Sequence, residues 1–136
     1  MGKNSVIDCK IIDIQKIYDP RGSLSVIENS CLLPYDIQRV YYIYDIPSGV
    51  IRGGHSHKVC QEFIVALSGS FEVILKDGTN ENRVLLNRPD RGLLIPTGIW
   101  RELENFSSGS VCLVLASEKY SEDDYVRDYD AYLKSK

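Results

Sequence analysis

The sequence contains only two histidines, one tryptophan and one methionine among its 136 residues, and it has no Cys-x-x-Cys pair. Cys9, Cys31, Cys60 and Cys112 are widely spaced, so we expect buried free thiols in a reducing compartment, not a disulfide framework or a zinc site. No apolar run approaches the roughly 20 residues that a membrane-spanning helix needs, and the N-terminus lacks the apolar centre of a signal peptide. A net charge of −3 also disfavours a general nucleic-acid binder. These absences favour a cytoplasmic protein without membrane or nucleic-acid partners.

Short β-prone segments follow one another along most of the chain, with turn residues between them. They are residues 38–45, 61–67, 71–76, 83–86, 92–95 and 111–116. Residues 5–17 alternate imperfectly between apolar and polar and predict a half-buried strand, and residues 23–28 predict a second one. Regularly spaced strands without a helical period indicate an all-β sandwich or barrel. At this length we expect a single domain over residues 1–136.

The C-terminal segment has a different pattern. Ser121 is a suitable N-cap and is followed by acidic residues, which favour the first turn of a helix. Tyr125, Tyr129 and Tyr132 are spaced by four and three, which places them on one face of a helix. We therefore predict a short helix over residues 121–133 whose tyrosine face packs against the β-structure.

Both histidines of the chain, His55 and His57, lie two residues apart. In an extended strand such residues point to the same face, so the two imidazoles would share one space. Histidine is suited to proton transfer or metal binding because its ordinary pKa is close to neutral. On the preceding β-prone segment, Arg39 and Tyr41 share a face by the same argument.

The residues around the histidines resemble the first motif of the cupin superfamily, with Gly49, His55, His57, Glu62 and Gly69 at its fixed positions. A second stretch, residues 96–105, resembles the second cupin motif. The resemblance implies a small β-barrel of the jelly-roll type.

One substitution separates the second stretch from the metal-binding cupins, which carry their last histidine where this chain has Arg101. A guanidinium stays protonated and cannot be a ligand, and its charge repels a divalent cation. His55, His57 and Glu62 alone can still form a facial triad for iron. We favour a site without a metal or other cofactor, which leaves the histidines free for acid–base chemistry.

A closer resemblance extends over residues 8–132. It rests on seven segments in order: residues 19–24, 37–43, 52–58, 92–96, 100–102, 114–117 and 124–130. They resemble the nucleotide-sugar 3,4-ketoisomerases, which act on dTDP-4-keto-6-deoxyglucose. This resemblance implies a metal-independent cupin, a homodimer that exchanges N-terminal strands, and a role in making 3-amino-3,6-dideoxy sugars. Members of that family more often carry glutamine at the position of Glu62, so this residue departs from the family pattern.

The resemblance implies roles for the residues of the active site. His55 would be the base that works at carbons 3 and 4 of the sugar, and His57 would orient it or relay protons. Tyr41 would be a hydroxyl shuttle between the two sugar oxygens. This chemistry suits the residues, because a general base works best when its pKa lies near the working pH.

The resemblance also implies residues that bind the substrate. Arg39, Arg52 and Arg101 would serve the diphosphate or the enediolate, since guanidinium groups bind phosphate in a bidentate manner. Trp100 would stack on thymine or pack in the core. Glu102 would hydrogen-bond the sugar or hold an arginine.

The turn containing Arg21 resembles the branch of the family that gives the galacto product. Two alternatives to the ketoisomerase remain: a metal-dependent cupin enzyme using His55, His57 and Glu62, and a non-catalytic sugar-binding cupin.

Overall fold

Residues 4–136 are described by a computed structural model, and most of them lie in β-strands or in the turns that join them. The strands are β1 (Lys10–Asp13), β2 (Lys16–Ile17), β3 (Leu24–Ser25), β4 (Arg39–Ile43), β5 (Arg52–His57), β6 (Glu62–Ser68), β7 (Phe71–Lys76), β8 (Glu81–Leu86), β9 (Arg91–Ile95), β10 (Trp100–Glu104), β11 (Val111–Ala116) and β12 (Tyr125–Val126). Short 3-10 helices span Val6–Asp8 and Glu122–Asp124, and one α-helix, α1, spans Tyr129–Lys134.

The strands form two five-stranded antiparallel sheets, in the orders β1-β9-β6-β11-β4 and β12-β5-β10-β7-β8, and β2 pairs with β3. Apolar side chains from both inner faces, among them Phe71, Leu75, Leu93 and Ile95, are fully or almost fully buried between the sheets. The predicted all-β cupin (jelly-roll type) barrel with a short C-terminal helix is therefore confirmed.

Strand β6 is a nearly continuous apolar run because both of its faces are covered. Ile64 and Ala66 face the core between the sheets, whereas Phe63 and Val65 pack beneath the segment 12–37 on the outside. A Cβ on Gly92 of the neighbouring strand would overlap the ring of Phe63, so the close approach of the two strands requires glycine there. This packing fixes the start of β6. It therefore also fixes the side chain of Glu62, which points toward the core as Ile64 and Ala66 do.

The N-terminal predictions are only partly correct. Residues 5–17 form a 3-10 turn and two short strands, and the second predicted strand is reduced to β3. The Asp8 carboxylate accepts a hydrogen bond from the backbone N–H of Ser5, a local interaction that competes with extended structure. Ile14 interrupts the strand because its side chain is buried in the outer apolar cluster.

The predicted helix over residues 121–133 is wrong in its first half. Tyr125 lies in β12 and pairs with His57 of β5, so it does not share a helical face with Tyr129 and Tyr132. Helix α1 begins after Asp128, whose side chain accepts a hydrogen bond from the backbone N–H of Ala131. Long-range strand pairing replaces the helix, and the spacing of the tyrosines could not reveal it.

The cysteines only partly match the expectation of buried thiols. Cys60 and Cys112 are buried, Cys9 is half-buried and Cys31 is exposed; all four are free. Within residues 4–136, no helix is both long enough and apolar enough to cross a membrane.

Candidate active site

The two histidines end strand β5 with their rings together, as the strand geometry predicts. The Nε2 atoms of His55 and His57 are 3.1 Å apart, and the residues are 8% and 1% exposed. The rings meet edge to face with centroids 4.7 Å apart. The pair is therefore buried, but His55 keeps some access to solvent.

Asp124 fixes the orientation of His57. Its Oδ2 lies 2.8 Å from His57 Nδ1, and its carboxylate also accepts backbone N–H bonds from Val59 and Cys60. Because a carboxylate only accepts, the Nδ1 atom of His57 carries a hydrogen and donates it. Neutral His57 then has its lone pair at Nε2, where it accepts the Nε2–H of His55.

This tautomer leaves the lone pair of His55 at Nδ1. Within residues 4–136, no hydrogen bond involves that atom, and His55 lines an open cavity. Burial, followed by the charge of Arg101 and the neighbouring His57, lowers the pKa of His55 to about 3. At neutral pH, His55 is thus an uncharged imidazole with an available lone pair.

Glu62 lies at the centre of the buried polar groups and is 1% exposed. Its Oε2 accepts a hydrogen bond of 2.8 Å from the Tyr41 hydroxyl and lies 3.5 Å from His57 Nε2. Its Oε1 accepts a bond of 2.6 Å from Arg101 Nη1. Burial alone would raise the pKa of Glu62, but the surrounding polar groups of His57, Arg101 and Tyr41 outweigh it and lower the pKa to about 2. Glu62 is therefore a carboxylate.

The cavity beside His55 has a volume of about 420 Å³ and a positive wall. Its lining residues are Arg39, Tyr41, Ile43, Arg52, Gly53, His55, Tyr120, Tyr125 and Arg127. The Nε atom of Arg39 is buried and has no hydrogen-bond partner within the described chain, while its Nη2 atom lies 3.9 Å from Glu62 Oε2. Three arginines and no carboxylate line this cavity, which suits it to an anionic group such as a phosphate.

Several residues predicted for substrate binding lie elsewhere. Arg101 is 1% exposed and is bonded to Glu62 and to the Ile99 carbonyl, so it is absent from the cavity wall. Trp100 is buried against Tyr129 and Tyr132 at the C-terminal helix, which matches the packing alternative.

Glu102 and Arg21 are also absent from the cavity lining. Glu102 accepts the Trp100 indole N–H and lies 3.7 Å from Lys76 Nζ, and it is not among the residues that line the cavity. Arg21 lies on the exposed turn between β2 and β3, where it pairs with Asp19. Of the predicted binding residues, Arg39 and Arg52 are the ones that line the cavity.

Four residues of the site come from the C-terminal segment and were missed. Asp124 orients His57, and the Tyr125 ring lies 4.4 Å from His57 and 5.0 Å from His55 between centroids. Arg127 stacks on Tyr125 at 4.0 Å, and Tyr120 covers the same side of the cavity. The available signal was the segment 124–130, one of the segments that resemble the ketoisomerases.

Within residues 4–136, two groups of residues have ligand atoms close enough to hold a metal: His55, His57 and Glu62, and His57, Cys60 and Asp124. In the first group, both oxygens of Glu62 already accept hydrogen bonds, and one of the donors is the guanidinium of Arg101. In the second, the Asp124 oxygens are used by His57 and two backbone N–H groups. In each group the carboxylate is therefore already engaged by hydrogen-bond donors, and in the first group the charge of Arg101 also repels a cation.

Comparison with known proteins gives consistent matches. The family model described as FdtA: WxcM-like, C-terminal matches residues 7–136. The chain is 44% identical over 125 residues to the TDP-4-oxo-6-deoxy-alpha-D-glucose-3,4-oxoisomerase of Aneurinibacillus thermoaerophilus, covering 92% of this chain and 90% of that one.

Solved structures agree with these matches. The WlaRB TDP-quinovose 3,4-ketoisomerase of Campylobacter jejuni is 45% identical with a TM-score of 0.90, covering 95% of this chain and 99% of that one. The sugar 3,4-ketoisomerase QdtA of Thermoanaerobacterium thermosaccharolyticum, solved in complex with TDP, is 41% identical with a TM-score of 0.93, covering 96% and 95%.

Proposed function

The chain belongs to the FdtA (WxcM-like, C-terminal) family, and we propose that it is an isomerase that converts dTDP-4-keto-6-deoxyglucose into a dTDP-3-keto-6-deoxyhexose. The relatives described above carry 3,4-ketoisomerase or 3,4-oxoisomerase names. The observation that carries the proposal is the lone pair of a neutral His55 at the wall of an arginine-lined cavity.

The first step removes the proton on carbon 3, which is acidic because it lies next to the carbonyl. His55 Nδ1 takes this proton, the C–H electrons form the double bond between carbons 3 and 4, and negative charge develops on O4. The Nε2–H of His55 passes its proton to His57 Nε2, 3.1 Å away. The resulting imidazolium of His57 lies between the carboxylates of Asp124 and Glu62. The histidine pair, not His55 alone, is thus the base, which explains how a residue with a lowered pKa can serve.

The second step returns a proton to carbon 4 by the reverse path, as the carbonyl forms at carbon 3. The hydroxyl hydrogen must also move from O3 to O4, and Tyr41, which lines the cavity, is the shuttle. Arg39, with its unpartnered Nε, and Arg52 bind the diphosphate or stabilise the enediolate. Fixed donors of this kind typically contribute about 10²–10³ in rate.

The reaction uses no metal in this proposal. The donors on Glu62 and the fixed charge of Arg101 support a site in which the histidine lone pairs serve protons. We place the reaction in the cytoplasm, since the chain keeps four free cysteines and its substrate is a nucleotide sugar.

We further propose a homodimer that exchanges its N-terminal strands. Ile17 and Leu24 of the β2–β3 ribbon and Val40 and Tyr42 of the edge strand β4 expose between 48% and 60% of their surface, which supports an apolar contact between copies. Exchange would carry the ribbon turn, with Arg21, to another subunit. There Arg21 would favour the galacto product.

The test follows EDTA-treated protein with dTDP-4-keto-6-deoxyglucose in deuterated buffer by NMR. Deuterium at the sugar ring and a 3-keto product, both unaffected by the chelator, are expected, and the coupling constants at carbon 4 report gluco or galacto configuration. Exchange that appears only after iron or manganese is added would contradict the metal-free mechanism. Binding without exchange under either condition would indicate a sugar-binding cupin instead.

A further inference from the structure

The buried carboxylate of Glu62 determines which way the Tyr41 hydroxyl points. Its pKa is low, so it offers only lone pairs, and the Tyr41 oxygen lies 2.8 Å from its Oε2. Tyr41 itself stays a phenol, because burial and then the charge of Glu62 raise its pKa well above the usual range. The single hydrogen of Tyr41 is therefore donated to Glu62, away from the cavity.

A tyrosine held in this way presents only lone pairs to a ligand. It can accept a hydrogen bond from a hydroxyl, but it cannot donate one to a carbonyl. Its oxygen is also a better acceptor while it donates to a carboxylate, since hydrogen bonds in a chain strengthen one another. Arg101 contributes indirectly, because its bond to Oε1 of Glu62 helps to keep that carboxylate ionised and in place.

We propose that Glu62 is a positioning residue that makes Tyr41 an acceptor for the 3-hydroxyl of the bound 4-keto sugar. This inference rests on the proposed function. The substrate has a hydroxyl at carbon 3 and a carbonyl at carbon 4. A Tyr41 that only accepts hydrogen bonds therefore distinguishes the two carbons and holds the sugar in one orientation. Glu62 releases the Tyr41 hydrogen only when charge develops on O4, so it also sets the direction of the oxygen-to-oxygen transfer.

The test compares two unreactive ligands by calorimetry: dTDP-4,6-dideoxyglucose, which keeps the 3-hydroxyl, and its 3-fluoro counterpart. Fluorine is similar in size but cannot donate a hydrogen bond. The native protein should bind the hydroxyl ligand about five- to tenfold more tightly, the value of one net hydrogen bond. Tyr41→Phe should reduce this ratio to within twofold.

Glu62→Gln separates positioning from a merely structural role. The amide oxygen can still accept from Arg101 while its NH₂ donates to Tyr41, so the hydroxyl hydrogen must turn into the cavity. The 3-hydroxyl can then still accept the Tyr41 hydrogen, which fluorine does only weakly, so the ratio should fall below the native value without reversing. Tyr42→Phe, on the exposed face of the same strand, is the matched control and should keep the native ratio.

Equal affinity of the native protein for the two ligands, or a full preference retained in Tyr41→Phe, would overturn the inference. If Glu62→Gln does not fold, the Tyr41→Phe comparison alone decides whether Tyr41 reads the 3-hydroxyl. A native protein that isomerises the keto sugar but shows no preference refutes only this inference. One that neither isomerises the sugar nor binds the ligands refutes the proposed function as well.

Discussion

Replacing Asp124 with asparagine should disable the base while leaving the barrel folded. Oδ1 of Asp124 accepts the backbone N–H of Val59 at 2.6 Å, and only the oxygen of an amide can take that place. The NH₂ group of asparagine must therefore face His57 Nδ1. This reverses the tautomer of His57, whose hydrogen moves to Nε2 and is donated to His55.

The hydrogen of His55 then moves to Nδ1, so the lone pair that faces the cavity is lost. In a well-studied hydrolase, a similar change from carboxylate to amide behind a catalytic histidine costs about 10⁴ in kcat. We expect kcat of Asp124→Asn to fall by about 10³–10⁴. The loss of the acceptor for Cys60 N–H should cost about 1 kcal/mol of stability.

The assay measures kcat by NMR, TDP affinity by calorimetry and the free energy of unfolding by urea titration. TDP affinity should stay within about threefold, since Asp124 does not line the cavity. Asp123→Asn is the matched control, because Asp123 is exposed and the structure assigns a hydrogen bond only to its carbonyl. Turnover of Asp124→Asn within tenfold of the native value would refute the tautomer argument.

His55→Asn should lower turnover by several orders of magnitude with an intact fold by circular dichroism; near-normal turnover would exclude His55 as the base. Arg39→Gln should weaken TDP binding measured by calorimetry about 10- to 100-fold, since a bond to a charged donor contributes about 1.5–3 kcal/mol; unchanged binding would contradict its role. Stability should fall in acid. In the folded protein His55 has a pKa near 3 and stays neutral, whereas in the unfolded chain it is protonated below about pH 6.5, so stability falls below that pH. Protonation of Glu62 lowers the stability further as the pH falls from about 4.5 toward 2. In urea titrations, the free energy of unfolding should fall by up to about 1.4 kcal/mol per pH unit through His55 as the pH is lowered from 6.5 to 4.5. His55→Asn should remove this dependence, and an unchanged slope in that variant would contradict the assignment. Arg101→His should bind about one equivalent of iron or manganese by metal analysis, and equal binding by the native chain would refute the role of the guanidinium.

The sequence was informative wherever short-range geometry decides the outcome. The spacing of His55 and His57 predicts a shared face, and the same rule places Arg39 and Tyr41 together on β4; the structure confirms both. The turn between β7 and β8 contains Asp77 and Gly78, residue types that favour turns. Strand period and turn chemistry are local properties, so one sequence suffices to read them.

The features that the sequence did not reveal depend on contacts between distant residues. Asp124 meets His57 across 67 positions, and no local pattern marks it. Tyr125 has a helical spacing to its neighbours, but the free edge of β5 pairs with it and extends the backbone. Arg101 was expected to bind an anionic ligand, whereas the carboxylate of Glu62, 39 positions away, takes its charge inside the barrel. The charge of Arg101 alone does not show whether its guanidinium binds an anionic ligand or the carboxylate of Glu62.

The Glu62–Arg101 pair has a physical role that stability does not explain. Buried ion pairs are often no more stabilising than apolar residues of the same size, because both charges lose their hydration. Here, however, the guanidinium stands where the cupin resemblance places a metal ligand, and it supplies a fixed positive charge without a coordination position. It favours the ionised form of Glu62, which in the proposed mechanism orients Tyr41 and faces the His57 imidazolium, and it helps to lower the pKa of His55. A bound cation would also ionise Glu62, but it would take the histidine lone pairs as ligands. Arginine at this position therefore gives the site a fixed charge without taking the histidine lone pairs, which the proposed mechanism needs for proton transfer.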